Sequence, residues 1–160
     1  MTSRTIYLAN PLGFSEAGAR FIRDVLAPQL ASRGVEVVNP FDLVDPSKFS
    51  ALQAMAAGDA RIEAWRALNM EIGEGNVAAI DRCDAVLAIL DGVDVDSGTA
   101  SEIGYAFAKG KRIVGYRGDF RPAAENEGCT VNLQVEYFIR ASGGTIVTKV
   151  DAIADAIGGP

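Results

Sequence analysis

The most constraining feature of the chain is one unbroken apolar run, Ala-Val-Leu-Ala-Ile-Leu, at residues 85–90. A strand that is covered on both faces reads as a continuous hydrophobic run, whereas a half-exposed strand alternates with polar residues. Four more short apolar runs flank it, and segments with helical spacing separate them. The sequence therefore predicts five strands, with the third at the centre of the sheet, at residues 5–9, 35–38, 85–90, 112–116 and 145–147.

The segments between these strands predict helices. Apolar side chains at positions 21, 22, 25, 26 and 30 fall on i, i+4 rows, which predicts a helix that Pro28 kinks and Gly34 ends. A long helix is predicted over residues 60–83, with a middle weakened by Gly73 and Gly75. Shorter helices are predicted over residues 99–109, 132–140 and 150–157. Two segments lack a regular pattern and are candidate substrate lids, namely residues 39–50 and 118–130.

Alternating strands and helices are typical of an α/β protein with a mostly parallel sheet. Five strands in this order predict a flavodoxin-like, doubly wound five-stranded parallel sheet with helices on both faces. The 160 residues fit one domain, residues 1–160. Ligands of such sheets bind beyond the carboxyl ends of the strands, so the site is expected after Ala9, Leu90 and Tyr116.

Composition excludes several classes of function. The net charge of −6 opposes binding to a nucleic-acid polymer or an anionic membrane. Because the chain has no histidine, it holds no Ser-His triad and no His-ligated zinc. Cys83 and Cys129 are too few for a metal site and are predicted to be reduced thiols. With no apolar segment long enough to span a bilayer and no signal peptide, a cytoplasmic protein without cofactor or metal is expected.

Acidic residues concentrate directly after the central strand, where residues 91–102 read Asp-Gly-Val-Asp-Val-Asp-Ser-Gly-Thr-Ala-Ser-Glu. A Ca²⁺ or Mg²⁺ loop is one interpretation, but the glycine of an EF-hand is missing. Thr99 and Glu102 have the spacing of a capping box. A helix N-terminus also favours an ionised carboxylate, which a nucleophile requires. Local sequence does not decide between these roles for Glu102. For Tyr7 it does not decide between a core aromatic and a catalytic partner.

Four separated segments carry a pattern that extends over most of the chain. They are Tyr7-Leu8-Ala9, the strand at residues 83–92, Asp-Ser-Gly-Thr-Ala-Ser-Glu-Ile-Gly-Tyr-Ala at residues 96–106, and Asn-Leu-Gln-Val-Glu-Tyr-Phe at residues 132–138. Together they resemble the nucleoside 2-deoxyribosyltransferase family. Members of this family exchange the base of a 2-deoxyribonucleoside, with retention, through a deoxyribosyl ester of a glutamate. The resemblance implies that the partners are 2-deoxyribonucleosides and free nucleobases.

The resemblance also implies roles for the matching residues. Glu102 matches the nucleophile, Tyr7 the tyrosine that orients it, and Asp96 the aspartate that engages the sugar hydroxyls. Retention through a covalent relay requires a carboxylate on one face of the sugar and a proton source at the leaving base. Phe14 is a candidate for stacking on the base. Asp91 is a candidate substrate contact and proton donor.

Asn132 and Gln134 lie in a segment that family members contribute to the site of a neighbouring subunit. The resemblance implies that Asn132 contacts the sugar 5′-hydroxyl there. The active form is then a homodimer or a larger homo-oligomer with shared active sites. The other interpretation of Asn132 is a helix cap.

One residue departs from the family pattern. Some members carry an aspartate, the favoured proton donor to the leaving base, where this chain has Asn76. A neutral amide can hydrogen-bond a base but cannot act as a general acid. Asp96, Asp91 or a water would then deliver the proton, or turnover is slow. The other interpretation of Asn76 is a cap that restarts the helix after Gly75.

Two alternative functions stay open on sequence alone. One is an N-glycosidase that hydrolyses a deoxynucleoside or its 5′-monophosphate, and the other is a noncatalytic nucleoside-binding sensor. The resemblance to N-glycosidases of 5′-monophosphates implies a phosphate-binding first loop with a serine, an arginine and glycines. Here the first loop, residues 10–15, contains no arginine, and Asn132 stands where a phosphate-binding serine would help, which favours nucleosides over nucleotides. A sensor has no need for a nucleophile, so the complete catalytic set favours an enzyme.

Overall fold

The computed structural model describes residues 4–158, and these form one five-stranded sheet in which every pairing is parallel. The strands are β1 (Arg4–Ala9), β2 (Val35–Val38), β3 (Ala85–Ile89), β4 (Arg112–Tyr116) and β5 (Ile146–Val147). Their order in the sheet is β2-β1-β3-β4-β5, and all residues of the central β3 are buried. The predicted fold class and the central place of the third strand are confirmed.

Seven α-helices accompany the strands within residues 4–158: α1 (Glu16–Phe21), α2 (Ala27–Ala31), α3 (Pro46–Ala54), α4 (Asp59–Arg82), α5 (Ser97–Ala108), α6 (Leu133–Ala141) and α7 (Ile153–Gly158). Short 3₁₀ turns at Leu12–Phe14, Pro40–Asp42 and Val150–Ala152 connect them to the strands. None of the helices in this part of the chain is long and apolar enough to cross a membrane.

Because side chains alternate along the strands, the sheet packs two hydrophobic cores, one on each of its faces. Tyr7 and Val86 point to the face that α4, α5 and α6 cover. Leu8 and Leu87 point to the opposite face, against α1, α2 and α7. Because successive residues of a strand point to opposite faces, the register that pairs Tyr7 with Val86 fixes which side chains meet α5. The doubly wound arrangement with helices on both faces is confirmed.

The helix that precedes β2 is irregular near its proline. α1 and α2 are joined without a break by the π-helical residues Ile22–Leu26. Pro28 has no N–H to donate, and its ring would crowd the carbonyl of Asp24 in a regular helix. The wider π turn lets the helix continue past Pro28. The irregularity predicted at Pro28 therefore lies in the turn just before it.

Helix α4 runs without interruption through both of its glycines. Gly73 and Gly75, predicted to weaken its middle, do not interrupt it, because the following turn is anchored by the buried Ala79 and Ile80. Tertiary packing overrides the low helix propensity of glycine. Asn76 consequently lies inside the helix and caps nothing.

The segment at residues 39–50 is more regular than the sequence predicts. It contains the 3₁₀ turn Pro40–Asp42 and the first half of α3. Asp45 caps α3 by accepting a hydrogen bond from the Ser47 amide at 2.8 Å, and Pro46 stands in the first turn, where a missing N–H costs nothing. Residues 118–130 contain neither helix nor strand, as predicted.

Two Gly→Ala substitutions should change stability in opposite directions. A Cβ at Gly73 would meet no atom within 4 Å, so Gly73→Ala should raise the free energy of unfolding by about 0.5–1 kcal/mol through helix propensity. A Cβ at Gly144 would lie 1.7 Å from the carbonyl oxygen of Ile113, so Gly144→Ala should lower it by about 1–3 kcal/mol. Urea unfolding of the three proteins at one protein concentration measures both. A stabilised Gly144→Ala protein would contradict the packing described for that turn.

Candidate active site

A cavity of about 450 Å³ opens beyond the carboxyl ends of β1 and β3, where the strand order predicts a ligand site. The loop after β1, residues 40–49, α4 and the start of α5 supply its walls. The lining residues are Asn10, Phe14, Pro40, Phe41, Val44, Phe49, Asn69, Ile72, Asn76, Asp96, Gly98, Thr99 and Glu102. Four predicted site residues, Phe14, Asn76, Asp96 and Glu102, are thus brought together.

Tyr7 and Glu102 meet at the floor of this cavity. Tyr7 is fully buried in β1, and its hydroxyl donates a hydrogen bond to Oε1 of Glu102 at 2.6 Å. The amide Nδ2 of Asn76, from α4, lies 3.5 Å from the same oxygen. Both donors act on Oε1, and no donor among residues 4–158 bonds to Oε2. The carboxylate is therefore held by one oxygen while the other stays available.

Burial sets the ionisation of this pair. Desolvation raises the pKa of Glu102 from 4.5 to about 7, the hydrogen bond from Tyr7 opposes the rise, and the charge of Asp96 adds to it. Burial also raises the pKa of Tyr7 far above its ordinary value, and the bond to Glu102 adds to that shift. Tyr7 therefore stays protonated and serves as a donor, while Glu102 titrates near neutral pH.

Asp96, not Thr99, caps the helix that carries Glu102. Oδ2 of Asp96 accepts from the Thr99 amide at 2.9 Å and from the Thr99 hydroxyl at 3.3 Å. The capping box inferred from Thr99 and Glu102 is wrong, because α5 begins at Ser97 and Glu102 lies in its second turn. A place near a helix N-terminus predicts a lowered pKa for Glu102, but its pKa is raised, because burial dominates.

The aspartates after β3 bond to different parts of the chain and do not form a cluster. Oδ1 of Asp91 accepts from the Asp119 amide at 2.8 Å, and Oδ1 of Asp94 accepts from the Val95 amide at 2.8 Å. Each of them, like Asp96, fixes a different stretch of backbone. Within residues 4–158 no group of three His, Cys, Asp or Glu side chains could hold a metal ion.

Aromatic and aliphatic side chains form the outer half of the cavity. Phe14 and Phe41 meet edge to face, with ring centroids 4.9 Å apart, and Phe14 is 81% exposed. Phe49, from α3, lines the cavity and packs against Trp65 of α4, with ring centroids 6.1 Å apart. Flat apolar surfaces of this kind suit stacking on a planar ring such as a nucleobase.

Besides Tyr7, which reaches Glu102 from within the sheet, three predicted site residues do not line the cavity of their own chain: Asp91, Asn132 and Gln134. Asn132 caps α6, and its Oδ1 accepts from the amides of Gln134 and Val135 at 3.0 and 3.3 Å. Its Nδ2 donates to Glu125. The side chain of Gln134 is exposed. Asp91 instead ties the loop after β3 to the loop after β4.

Sequence reasoning missed several lining residues. Asn10 is buried, donates to the Leu8 carbonyl at 2.8 Å and accepts from the Leu12 amide at 2.9 Å, so it shapes the first loop. Its place directly after β1 was a signal that could have identified it. Asn69 lies seven residues before Asn76 on the same face of α4, and that spacing was the other available signal.

Comparison with known proteins agrees with this geometry. Residues 6–134 match the sequence profile of the nucleoside 2-deoxyribosyltransferase family. The chain belongs to this family. Membership makes it a glycosyl-transferring enzyme of a group that acts on small nucleosides and nucleobases.

Three relatives illustrate the range of similarity. An uncharacterized protein of Schizosaccharomyces pombe is 28% identical to this chain over a segment that covers 88% of this chain and 79% of that protein. The 2-desoxiribosyltransferase of Leishmania mexicana shares the fold with a TM-score of 0.66 at 24% identity, covering 97% of both chains. The CMP N-glycosidase of Clostridium botulinum shares it with a TM-score of 0.54 at 23% identity, covering 97% of this chain and 98% of that one.

Removal of the Glu102 charge should stabilise the protein in a pH-dependent way. The folded state holds a proton on Glu102 up to about pH 7, whereas the unfolded state loses it near 4.5, so this group lowers stability as pH rises through that interval. Glu102→Gln should match the wild type at pH 4 and exceed its free energy of unfolding at pH 8 by about 1–3 kcal/mol. Urea unfolding at both pH values measures the difference.

The exposed Glu74 of α4 provides the matched control. Glu74→Gln should leave the free energy of unfolding near the wild-type value at both pH values. A Glu102→Gln protein that is less stable than the wild type at pH 8 would contradict the desolvation of this carboxylate.

Proposed function

We propose that the protein exchanges the base of 2-deoxyribonucleosides, as a nucleoside 2-deoxyribosyltransferase, through a deoxyribosyl ester on Glu102. The observation that carries the proposal is the partly buried Glu102 carboxylate, held at Oε1 by the Tyr7 hydroxyl at 2.6 Å and left open at Oε2 inside an aromatic-lined cavity. A fixed carboxylate retains its attack geometry, whereas a freely rotating one loses it. Family membership supports the same chemistry.

In the first step Oε2 of Glu102 attacks the anomeric carbon while the bond to the base breaks, and the base leaves with the bonding electron pair. The transition state resembles an oxocarbenium ion, whose positive charge the carboxylates of Glu102 and Asp96 stabilise. A second base then attacks the ester from the opposite face and releases Glu102. Two inversions give net retention. Asp96, beside Gly98 at the start of α5, is assigned to the sugar hydroxyls.

The charge of the cavity supports nucleosides over nucleotides as substrates. No lysine or arginine lies among its lining residues within the described chain, and its titratable groups are the two carboxyls of Asp96 and Glu102. A 5′-phosphate is bound most strongly by cationic donors, and two carboxylates repel it. In this respect the substrate proposed here differs from the nucleotide named for the Clostridium botulinum CMP N-glycosidase.

Base exchange gives the direct test of this proposal. Incubation with deoxyinosine and free adenine should yield deoxyadenosine, detected by chromatography. Glu102→Gln should lower the rate by about three orders of magnitude or more while the protein stays folded. A 2-fluoro-2-deoxynucleoside should leave a mass increment on the peptide that contains Glu102.

The same assay separates the alternatives. Release of hypoxanthine without a second base would indicate a hydrolase, and binding of deoxynucleosides without any turnover would indicate a sensor. A mass increment on Asp96 or Asp91 instead of Glu102 would overturn the assignment of the nucleophile.

We also propose that Asn132 completes the site of a neighbouring subunit in a homodimer or larger homo-oligomer, as the family resemblance implies. In its own chain Asn132 caps α6 and lies outside the lining of the cavity, so its amide does not reach the substrate there. Closed dimers place the same patch on both sides of the axis, and each site can then borrow from its partner.

Subunit exchange tests this second proposal. Asn132→Ser keeps an oxygen that can cap α6 but removes the amide. It should therefore lower activity without the drop of about 1 kcal/mol in the free energy of unfolding that a missing cap causes. Mixing it with Glu102→Ala under exchange conditions should restore part of the activity, because some mixed pairs then contain one complete pocket. Mixed oligomers, confirmed by mass, that stay as inactive as both parents would place Asn132 outside the site.

A further inference from the structure

The titratable groups of the cavity all lie on one of its walls. Glu102 and Asp96 belong to α5 and its cap. The facing wall is α4, which presents Asn69, Ile72 and Asn76 at a spacing of three and four residues, on one face of the helix. Apart from Asn10 and the first residues of α5, the remaining lining consists of aromatic and aliphatic side chains. Among the described lining residues, those on the α4 and aromatic side have no proton that they can give up.

The two carboxyls are both engaged in other ways. Glu102 forms the ester in the proposed reaction, so it must be ionised when the base departs. Asp96 accepts at Oδ2 from the amide and the hydroxyl of Thr99, and in the proposed reaction its carboxylate stabilises the cationic sugar, so it too stays ionised. The Tyr7 hydroxyl donates to Glu102 at 2.6 Å from within the sheet and does not line the cavity. The amide of Asn76 can hydrogen-bond a base but cannot protonate it.

Resting on the proposed function, we infer that the base leaves as its anion and that the substrates are therefore 2-deoxyribonucleosides whose free bases have an acidic N–H. The C–N bond breaks, its electron pair stays on the ring nitrogen, and the new C–O bond to Glu102 forms. Water protonates the anion after it leaves the cavity. In the return step a base of the same class attacks as its anion. A more acidic N–H makes this anion more abundant at neutral pH.

A matched pair of substrates tests this inference. Thymidine and 5-bromo-2′-deoxyuridine differ by a methyl and a bromine of similar size, but bromine withdraws electrons and makes the ring N–H of the free base more acidic. With enzyme in excess over nucleoside, rapid quenching reports base release in the first turnover. The bromo compound should release its base about tenfold faster or more in the wild type, since no acid compensates for the poorer leaving group.

Two Asn→Asp variants locate the effect. An aspartate at position 76 would lie near the carboxylates of Glu102 and Asp96, and like charges raise the pKa of such a group, so it could act as an acid. Asn76→Asp should therefore speed thymidine cleavage and bring the bromo-to-methyl ratio toward one. Asn69→Asp adds the same charge two helical turns away on the same face of α4 and should leave the ratio at its wild-type value.

The outcomes separate this inference from the proposed function. If deoxyinosine and adenine give no deoxyadenosine, the proposed function fails. If they do, but neither pyrimidine nucleoside releases its base, the inferred substrate class is wrong. If both are cleaved at equal first-turnover rates by the wild type, the proposed function stands and the anionic departure is wrong. A ratio that Asn69→Asp lowers as much as Asn76→Asp would also overturn the inference, because it would reflect added charge and not a positioned acid.

Discussion

The hydrogen bond from Tyr7 to Glu102 is the interaction on which the site depends. It joins residues 95 positions apart, and it forms only because β1 lies beside β3 in a register that aims Tyr7 at α5. A carboxylate and a phenol that are both buried would each be costly without a partner. Their mutual bond satisfies both. The parallel sheet, the face on which α5 packs and the orientation of the Glu102 carboxylate are therefore parts of one constraint.

The sequence predicts the sheet well because its signal is strong and local. An apolar run such as residues 85–90 fits only a strand that is covered on both faces, and the helical segments between the runs require parallel connections. It predicts α3 less well, since that helix depends on tertiary contacts. Phe49 packs against Trp65 of α4, and Lys48 pairs with Glu71, also of α4. Neither contact is visible from spacing.

The site shows the same division between local and distant causes. Tyr7 and Glu102 meet, as the family resemblance implies, and Phe14, Asn76 and Asp96 line the same cavity. The start of α5 is misjudged because two acceptors, Asp96 and Thr99, compete as its cap, and the structure uses the carboxylate. The sign of the pKa shift of Glu102 follows from depth of burial, which a helix N-terminus in the sequence does not report.

The burial that makes Glu102 costly also favours its use. In the proposed reaction, attack by Oε2 turns a poorly solvated carboxylate into a neutral ester and passes the negative charge to the departing base. On the side of the cavity where Phe14 is 81% exposed, water can solvate the departing base of the proposed reaction. Charge thus moves from a site that penalises it to one that tolerates it. A cavity that lacks an acid on its α4 wall can support cleavage in this way, provided that the base itself accepts the charge.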